Sequence, residues 1–140
     1  MQVRDVMTKR PNYLNADATI REAANAMREH GTGFEPLGDG SFVTGVVTDR
    51  DIAVRAVAEG ENLDDKASSI ATEKALYTFE DNSVDDVIEN MAKQEVQRLL
   101  VLDNAEDKNL VGIITIGDIA DKCEDDALAK KIVSAARHYH

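Results

Sequence analysis

Two stretches of the chain carry apolar side chains at helical spacing. The first follows Thr19 and repeats at i, i+3, i+4 and i+7, with Ile20, Ala23, Ala24 and Met27. The second follows Ser83 and places Val84, Val87, Ile88 and Met91 on one stripe. A hydroxyl residue ahead of such a stripe, with a carboxylate three residues later, is typical of a helix N-terminus. Each stripe therefore predicts an amphipathic helix that packs one face into a core.

Each predicted helix is followed by two apolar stretches with a turn between them. The stretches are 34–37 and 42–48 in the first case, and 98–102 and 110–115 in the second. Gly-Asp-Gly and Asp-Asn between them are typical of hairpin turns. Short strands are predicted ahead of the helices, and a last helix begins at Asp49 and at Ile116. The order β-α-β-β-α thus occurs twice, which predicts an α+β fold.

The chain also repeats itself in sequence. Residues 45–53 recur as 112–120 at a spacing of 67, and an upstream register of 64 pairs Thr8 with Thr72 and Tyr13 with Tyr77. This predicts one repeat over 1–60, a second over 64–123, and a C-terminal helical extension over 124–140. Helices on one side leave an apolar sheet face, so we expect the two repeats to pack sheet to sheet with pseudo-two-fold symmetry. The extension either covers an interface or continues the preceding helix.

The charge and cysteine content exclude several classes of function. The chain has 27 acidic and 16 basic residues, a net charge of -11, which argues against nucleic-acid or anionic-membrane binding. The single cysteine, Cys123, excludes an internal disulfide and a multi-cysteine metal site. The longest apolar stretches are too short to span a bilayer, and the first residues do not resemble a signal peptide. We therefore expect a soluble, cytoplasmic protein.

Four segments resemble the signature segments of CBS domains: 3–8, 17–24, 45–52 and 97–103. The resemblance covers residues 1 to about 123 and is to the stand-alone bacterial tandem pairs, also called Bateman modules. It implies a regulatory module that binds AMP, ADP, ATP, NAD or S-adenosylmethionine in clefts between the repeats and signals to a partner. It also implies a homodimer. Because no catalytic or metal-binding motif is visible, we expect no catalysis, no metal site and no required cofactor.

The resemblance assigns the binding role to the Thr-x-x-Asp sequences, Thr48 with Asp51 and Thr115 with Asp118. It implies that the aspartate accepts hydrogen bonds from the ribose hydroxyls and that the threonine meets ribose or phosphate. Charge-assisted bonds from a cis-diol suit a carboxylate. The same spacing is also a helix-capping arrangement. Both interpretations stay open, and one residue pair can serve both in turn.

The resemblance further implies that each cleft combines the motif of one repeat with the first-strand end of the other. One cleft would hold Asn15 and Asp17 with Thr115, Asp118 and Arg98, a phosphate ligand or a surface residue. The other would hold Thr48 and Asp51 near several acids: Glu35, Glu80 and Asp81. Carboxylates repel a polyphosphate, whereas a guanidinium binds phosphate. The sequence therefore predicts that the Arg98 cleft is the better nucleotide site.

The remaining polar and aromatic residues leave alternatives. Arg50 and Arg55 either reach a phosphate or are solvated helix residues, and Tyr13 and Tyr77 either stack on adenine or pack in their strands. His138 and His140 indicate a frayed terminus rather than a metal site: His138, Tyr139 and His140 end the chain. No nucleophile–base pair or phosphate loop is visible, which argues against an enzyme. The alternative to a sensor is a dimeric scaffold with vestigial clefts.

Overall fold

The computed structural model describes residues 1–10, 12–40, 42–72 and 76–137. In chain order the elements are α1 (Val3–Val6), β1 (Thr8–Lys9), β2 (Leu14–Asn15), α2 (Ile20–His30), β3 (Phe34–Gly38), β4 (Val43–Thr48), α3 (Asp49–Asp51), a π-helical turn (Ile52–Val57), a 3-10 turn (Ala67–Ser69), β5 (Tyr77–Phe79), α4 (Val84–Gln94), β6 (Arg98–Leu102), β7 (Leu110–Thr115), α5 (Ile116–Asp121) and α6 (Asp126–Ala136). The α+β class and the doubled β-α-β-β-α order are confirmed.

The chain forms two compact units. The first joins Met1–Pro11 to Leu76–His140, and the second is Asn12–Ala75. The first holds a sheet in the order β1-β7-β6-β5, and the second a sheet in the order β2-β3-β4. β2 runs parallel to β3, and β5 runs parallel to β6. β3 with β4, and β6 with β7, form antiparallel hairpins. Two copies of one topology are what the sequence repeat predicts.

The apolar stripe of each helix lies in the core of its own unit, with one exception: Ala24, which was predicted on the stripe of α2, is exposed, and Ala26 is buried instead. In the second unit Ile20, Ala23 and Met27 of α2 pack with Leu37 and Val47. In the first unit the corresponding cluster comes from α4, β6 and β7: Val84, Val87, Ile88, Met91, Leu99, Val101 and Ile114. The helix starts are capped as predicted, because the Thr19 and Ser83 hydroxyls accept hydrogen bonds from the third residue of each helix. Propensity, capping and packing therefore agree at both helices.

The opening segment of each repeat pairs with the last strand of the other repeat. Thr8 in β1 is the antiparallel partner of Ile113, and Thr72 forms the same kind of bridge with Val46. The two pairings are equivalent, because Thr72 and Ile113 are the repeat counterparts of Thr8 and Val46. Because the opening segments are exchanged in this way, the boundaries of the compact units differ from those of the sequence repeats. The repeat boundaries at 1–60 and 64–123 stay a prediction about the sequence.

The C-terminal extension is a separate helix rather than a continuation of α5. The chain leaves α5 at Asp121, and the Asp125 side chain caps α6 by accepting from the Leu128 N–H at 2.7 Å. Leu128 and Ala135 of α6 are buried in the core of the first unit. Lys131 lies 2.8 Å from a carboxylate oxygen of Glu89 and 3.3 Å from one of Asp85, both on α4. The extension thus forms part of the first unit.

Candidate functional site

Both Thr-x-x-Asp sequences form reciprocal caps at the start of a helix. Thr48 Oγ1 accepts from the Asp51 N–H, and an Asp51 oxygen accepts from the Thr48 N–H, both at 3.0 Å. Thr115 and Asp118 make the same two bonds, at 3.0 and 2.9 Å. The capping interpretation is therefore confirmed at both motifs. It commits one oxygen of each carboxylate and leaves the other to the surroundings of each motif.

The second motif brings two further polar residues together within the first unit. The Thr8 hydroxyl donates to the second Asp118 oxygen, Oδ1, at 3.4 Å. Arg98 begins β6 and is the antiparallel partner of Thr115, so the guanidinium-bearing residue is next to the motif. Hydrogen bonds thus join Thr8, Thr115 and Asp118, and Arg98 lies at the neighbouring position of the adjacent strand. Thr8 was not predicted as a site residue, because its pairing with the last strand of the other repeat was not predicted from the sequence.

The first motif has different neighbours within the second unit. The partner of Thr48 across the hairpin is Phe34, which is buried. The second oxygen of Asp51 lies 3.8 Å from Arg55 Nε. Asp49, just after Thr48, accepts from the backbone N–H of Arg50 at 2.9 Å. The helix start of this motif is therefore occupied by a second carboxylate, where the other motif carries Ile116.

Asn15 and Asp17, which were predicted to contribute to the Arg98 cleft, contact residues of the second unit. Asn15 Oδ1 accepts from the Asp17 N–H at 2.8 Å, which forms a tight turn after β2. The Asp17 carboxylate lies 3.0 Å from Lys66 Nζ, and both side chains are exposed. Asn15 and Asp17 belong to the compact unit that does not contain Thr115. Their part in a common site stays a prediction.

Two of the acids that were expected to repel a polyphosphate, Glu35 and Glu80, have polar or basic partners. Glu35 is fully buried, and its carboxylate accepts from the Thr32 hydroxyl at 3.0 Å and lies 2.9 Å from His30 Nδ1. Glu80 lies 3.5 Å from an Arg4 nitrogen. Burial of a carboxylate is costly unless it is hydrogen-bonded. The contacts of Glu35 therefore explain how this acid is tolerated at a buried position of β3. The charge of these acids is therefore weaker evidence against phosphate binding at the first motif than the sequence suggested.

The glycines of the two motifs face the exchanged segments. A Cβ on Gly112 would lie 2.6 Å from the Thr8 carbonyl oxygen, and one on Gly45 would lie 3.1 Å from that of Thr72. Both glycines therefore let the backbone of another segment approach their strand closely.

Within the described ranges, no three His, Cys, Asp or Glu side chains are grouped as metal ligands. No helix in that part of the chain is long and apolar enough to cross a membrane. His138 and His140 lie outside the described residues.

The family model named CBS domain matches residues 3–57 and 67–125. The CBS domain-containing protein YhcV of Bacillus subtilis is 33% identical over 118 residues, which cover 84% of this chain and 82% of YhcV. The CBS domain protein PAE2072 from Pyrobaculum aerophilum, solved with AMP, has a TM-score of 0.79 at 26% identity, covering 96% of this chain and 99% of PAE2072. The CBS domain pair of MJ0100, solved with 5′-methylthioadenosine and S-adenosyl-L-methionine, has a TM-score of 0.76 at 28% identity over 87% and 94% of the two chains.

Proposed function

The chain belongs to the CBS domain family as a tandem pair, and from that premise we propose that it is a cytoplasmic regulatory module with an adenosine-containing ligand at Thr115 and Asp118. Two similar structures, PAE2072 with AMP and MJ0100 with 5′-methylthioadenosine and S-adenosyl-L-methionine, support a ligand of this class. The observation that carries the choice of motif is the pairing of Arg98 with Thr115. Binding of the ligand, rather than catalysis, would be the signal that reaches a partner protein.

The chemistry of Asp118 suits a cis-diol without loss of the helix cap. The cap uses one carboxylate oxygen, and the Thr8 hydroxyl contacts the other at a long 3.4 Å. An ionised carboxylate offers about four acceptor positions, so it can take hydroxyl donors while the cap persists. Hydrogen bonds to a charged acceptor contribute about 1.5–3 kcal/mol each. The ribose 2′- and 3′-hydroxyls can therefore hydrogen-bond to Asp118 without displacing the cap.

The charge around the two motifs favours a phosphate at the second. Arg98 is next to Thr115, whereas the corresponding position next to Thr48 is the apolar Phe34. Asp49 adds a negative charge to the first motif, where the second has Ile116. Guanidinium groups bind phosphate through two parallel hydrogen bonds, and carboxylates repel it. The proposal therefore places a nucleotide at Asp118 rather than at Asp51.

Thermal unfolding with AMP, ADP, ATP, NAD and S-adenosylmethionine, each with and without magnesium, tests this proposal. A ligand at 100 times its dissociation constant stabilises the folded state by about 2.7 kcal/mol, or several degrees in a protein of this size. We expect a shift that Asp118→Ala abolishes and Asp51→Ala retains. The reverse dependence would contradict the choice of motif but keep the sensor function.

A second candidate function, a scaffold without ligand, is favoured by the caps themselves. Both aspartates already serve the local structure, so the repeated sequence has a role without any ligand. No shift with any of the five compounds at millimolar concentration would favour this alternative. In both cases we propose a homodimer, which rests on the family resemblance. Light scattering at micromolar concentration, with and without ligand, measures the mass directly.

A further inference from the structure

The two motif aspartates differ in the group that contacts their second oxygen. Asp51 is 9% exposed, and its free carboxylate oxygen lies 3.8 Å from Arg55 Nε. At Asp118 the corresponding oxygen accepts from the neutral Thr8 hydroxyl. The residue of the second repeat that corresponds to Arg55 is Lys122, which is exposed. One aspartate is therefore paired with a cation of its own unit, and the other with an uncharged donor.

The Arg55 guanidinium also makes a hydrogen bond to the backbone. Its Nη1 donates to the carbonyl oxygen of Ile70 at 3.1 Å, and Ile70 is a buried residue at the end of the 3-10 turn. The guanidinium is planar and rigid, so a hydrogen bond from one nitrogen fixes the direction of the others. The contact with Ile70 therefore helps to keep Nε beside Asp51. Arg55 joins the π-helical turn, the motif and the 3-10 turn within the second unit.

We propose that Arg55 excludes the adenosine-containing ligand from the first motif and so confines it to the second. This inference rests on the proposed function, because it names the residue that makes the two motifs unequal. Ribose hydroxyls need carboxylate oxygens, and at Asp51 they compete with a guanidinium of the protein itself, whose Nε lies 3.8 Å from the oxygen that the cap does not use. At Asp118 they displace at most one long hydrogen bond from a hydroxyl. The chain therefore binds one ligand, at Asp118.

The decisive measurement isolates the first motif by removing the second. Asp118→Ala is combined with Arg55→Gln, and binding of adenosine and of AMP is measured by calorimetry. We expect Asp118→Ala alone to bind neither compound at the highest concentration that calorimetry reaches, and the double variant to bind adenosine with a dissociation constant at least tenfold below that limit. The loss of the cation leaves a largely buried carboxylate that gains strongly from new donors. Adding Asp51→Asn must abolish the gain.

Arg50→Gln in the same Asp118→Ala background is the matched control. It removes one arginine charge from the same stretch of chain, but the described contact of Arg50 with Asp49 is made by its backbone N–H. We expect no gain of binding from this change. The unfolding temperature of each variant without ligand shows that it is folded. Should Asp118→Ala not fold, Arg55→Gln alone must change the stoichiometry from one ligand per chain to two.

Other outcomes separate the inference from the proposed function. Two equal sites in the wild type, one lost with Asp51→Asn, would overturn the role of Arg55 and retain a sensor. Weaker AMP binding after Arg55→Gln would overturn it as well, because Arg55 would then be a phosphate ligand. A wild type that binds neither compound contradicts the proposed function. In that case an Asp51-dependent gain in Arg55→Gln still supports the inference, and the absence of any gain overturns it.

Discussion

Arg98 lies opposite Thr115 in the antiparallel pairing of β6 with β7. The equivalent pair in the first repeat is Phe34 and Thr48, so the same ladder position holds a cation in one copy and a buried ring in the other. The backbone pairing is common to the two motifs, and this side chain is one of the features that differ. The two copies can therefore share a fold and bind different groups.

The first prediction concerns the charge of Arg98. We expect Arg98→Gln to weaken AMP binding by about tenfold to a hundredfold, the loss of one charge-assisted hydrogen bond. Adenosine has no phosphate, so its affinity is expected to change less than threefold, by calorimetry at one salt concentration. Lys93→Gln removes an exposed charge from the end of α4 and serves as the control. Equal losses for AMP and adenosine would contradict a phosphate contact.

The second prediction tests the exchanged N-terminal segment. A Cβ on Gly112 would lie 2.6 Å from the Thr8 carbonyl oxygen and 2.9 Å from Met7 Sδ. We expect Gly112→Ala to lower the free energy of unfolding by about 1–3 kcal/mol, the usual cost of overpacking. Gly45→Ala should cost less, because its nearest contact is 3.1 Å away. Denaturant unfolding measures both.

Gly117→Ala is the matched control for the glycine series. Gly117 lies in α5, and its Cβ would have its nearest neighbour, Thr115 Oγ1, at 3.5 Å. Alanine is the better helix former. We expect a change of less than about 1 kcal/mol, toward stabilisation. If Gly112→Ala were as stable as Gly117→Ala, the close pairing of β1 with β7 would be contradicted.

The repeat made most of this fold predictable from sequence. Stripes such as Ile20 to Met27, hydroxyl caps and hairpin turns are local signals, and each has a counterpart 64 or 67 residues later. The strand exchange was not predictable, because pairing between Thr8 and Ile113 depends on contacts across the chain. Gly112 was the available signal, since its position opposite a backbone carbonyl explains the absence of a side chain.

The candidate site was predictable only in part. The Thr-x-x-Asp pairs and Arg98 stand out by type and spacing, but the partners of their side chains do not. Nothing in the spacing of Asp51 and Arg55 shows that Arg55 also binds the carbonyl of Ile70. The π-helical turn at Ile52–Val57 likewise replaces the regular α-helix that its composition favours. These features arise from tertiary contacts that override local preference.

The third prediction concerns the buried carboxylate of Glu35. His30 and Thr32 contact it, whereas the second repeat places the apolar Leu99 at the corresponding position. We expect His30→Ala to lower the free energy of unfolding by about 1–3 kcal/mol, because a buried acceptor loses a partner. In a Glu35→Leu background, the same His30→Ala change is expected to cost almost nothing. A double-mutant cycle by denaturant unfolding measures this difference, and additive effects would show that the two side chains are not coupled.

The last prediction is a pH dependence of the attachment of α6. Hydrogen bonds to Glu89 and then to Asp85 raise the pKa of Lys131 above the ordinary lysine value. A raised pKa in the folded state means that the stabilisation is complete below the ordinary value and is lost as the pH rises through the folded value. Above the ordinary lysine pKa of about 10.4, the wild type should therefore lose stability with rising pH faster than Lys131→Met. The comparison isolates Lys131, because the two proteins differ at this residue alone. Parallel pH profiles would show that the ion pairs with α4 do not stabilise the folded chain, and the apolar contacts of Leu128 and Ala135 would then account for the docking of this helix.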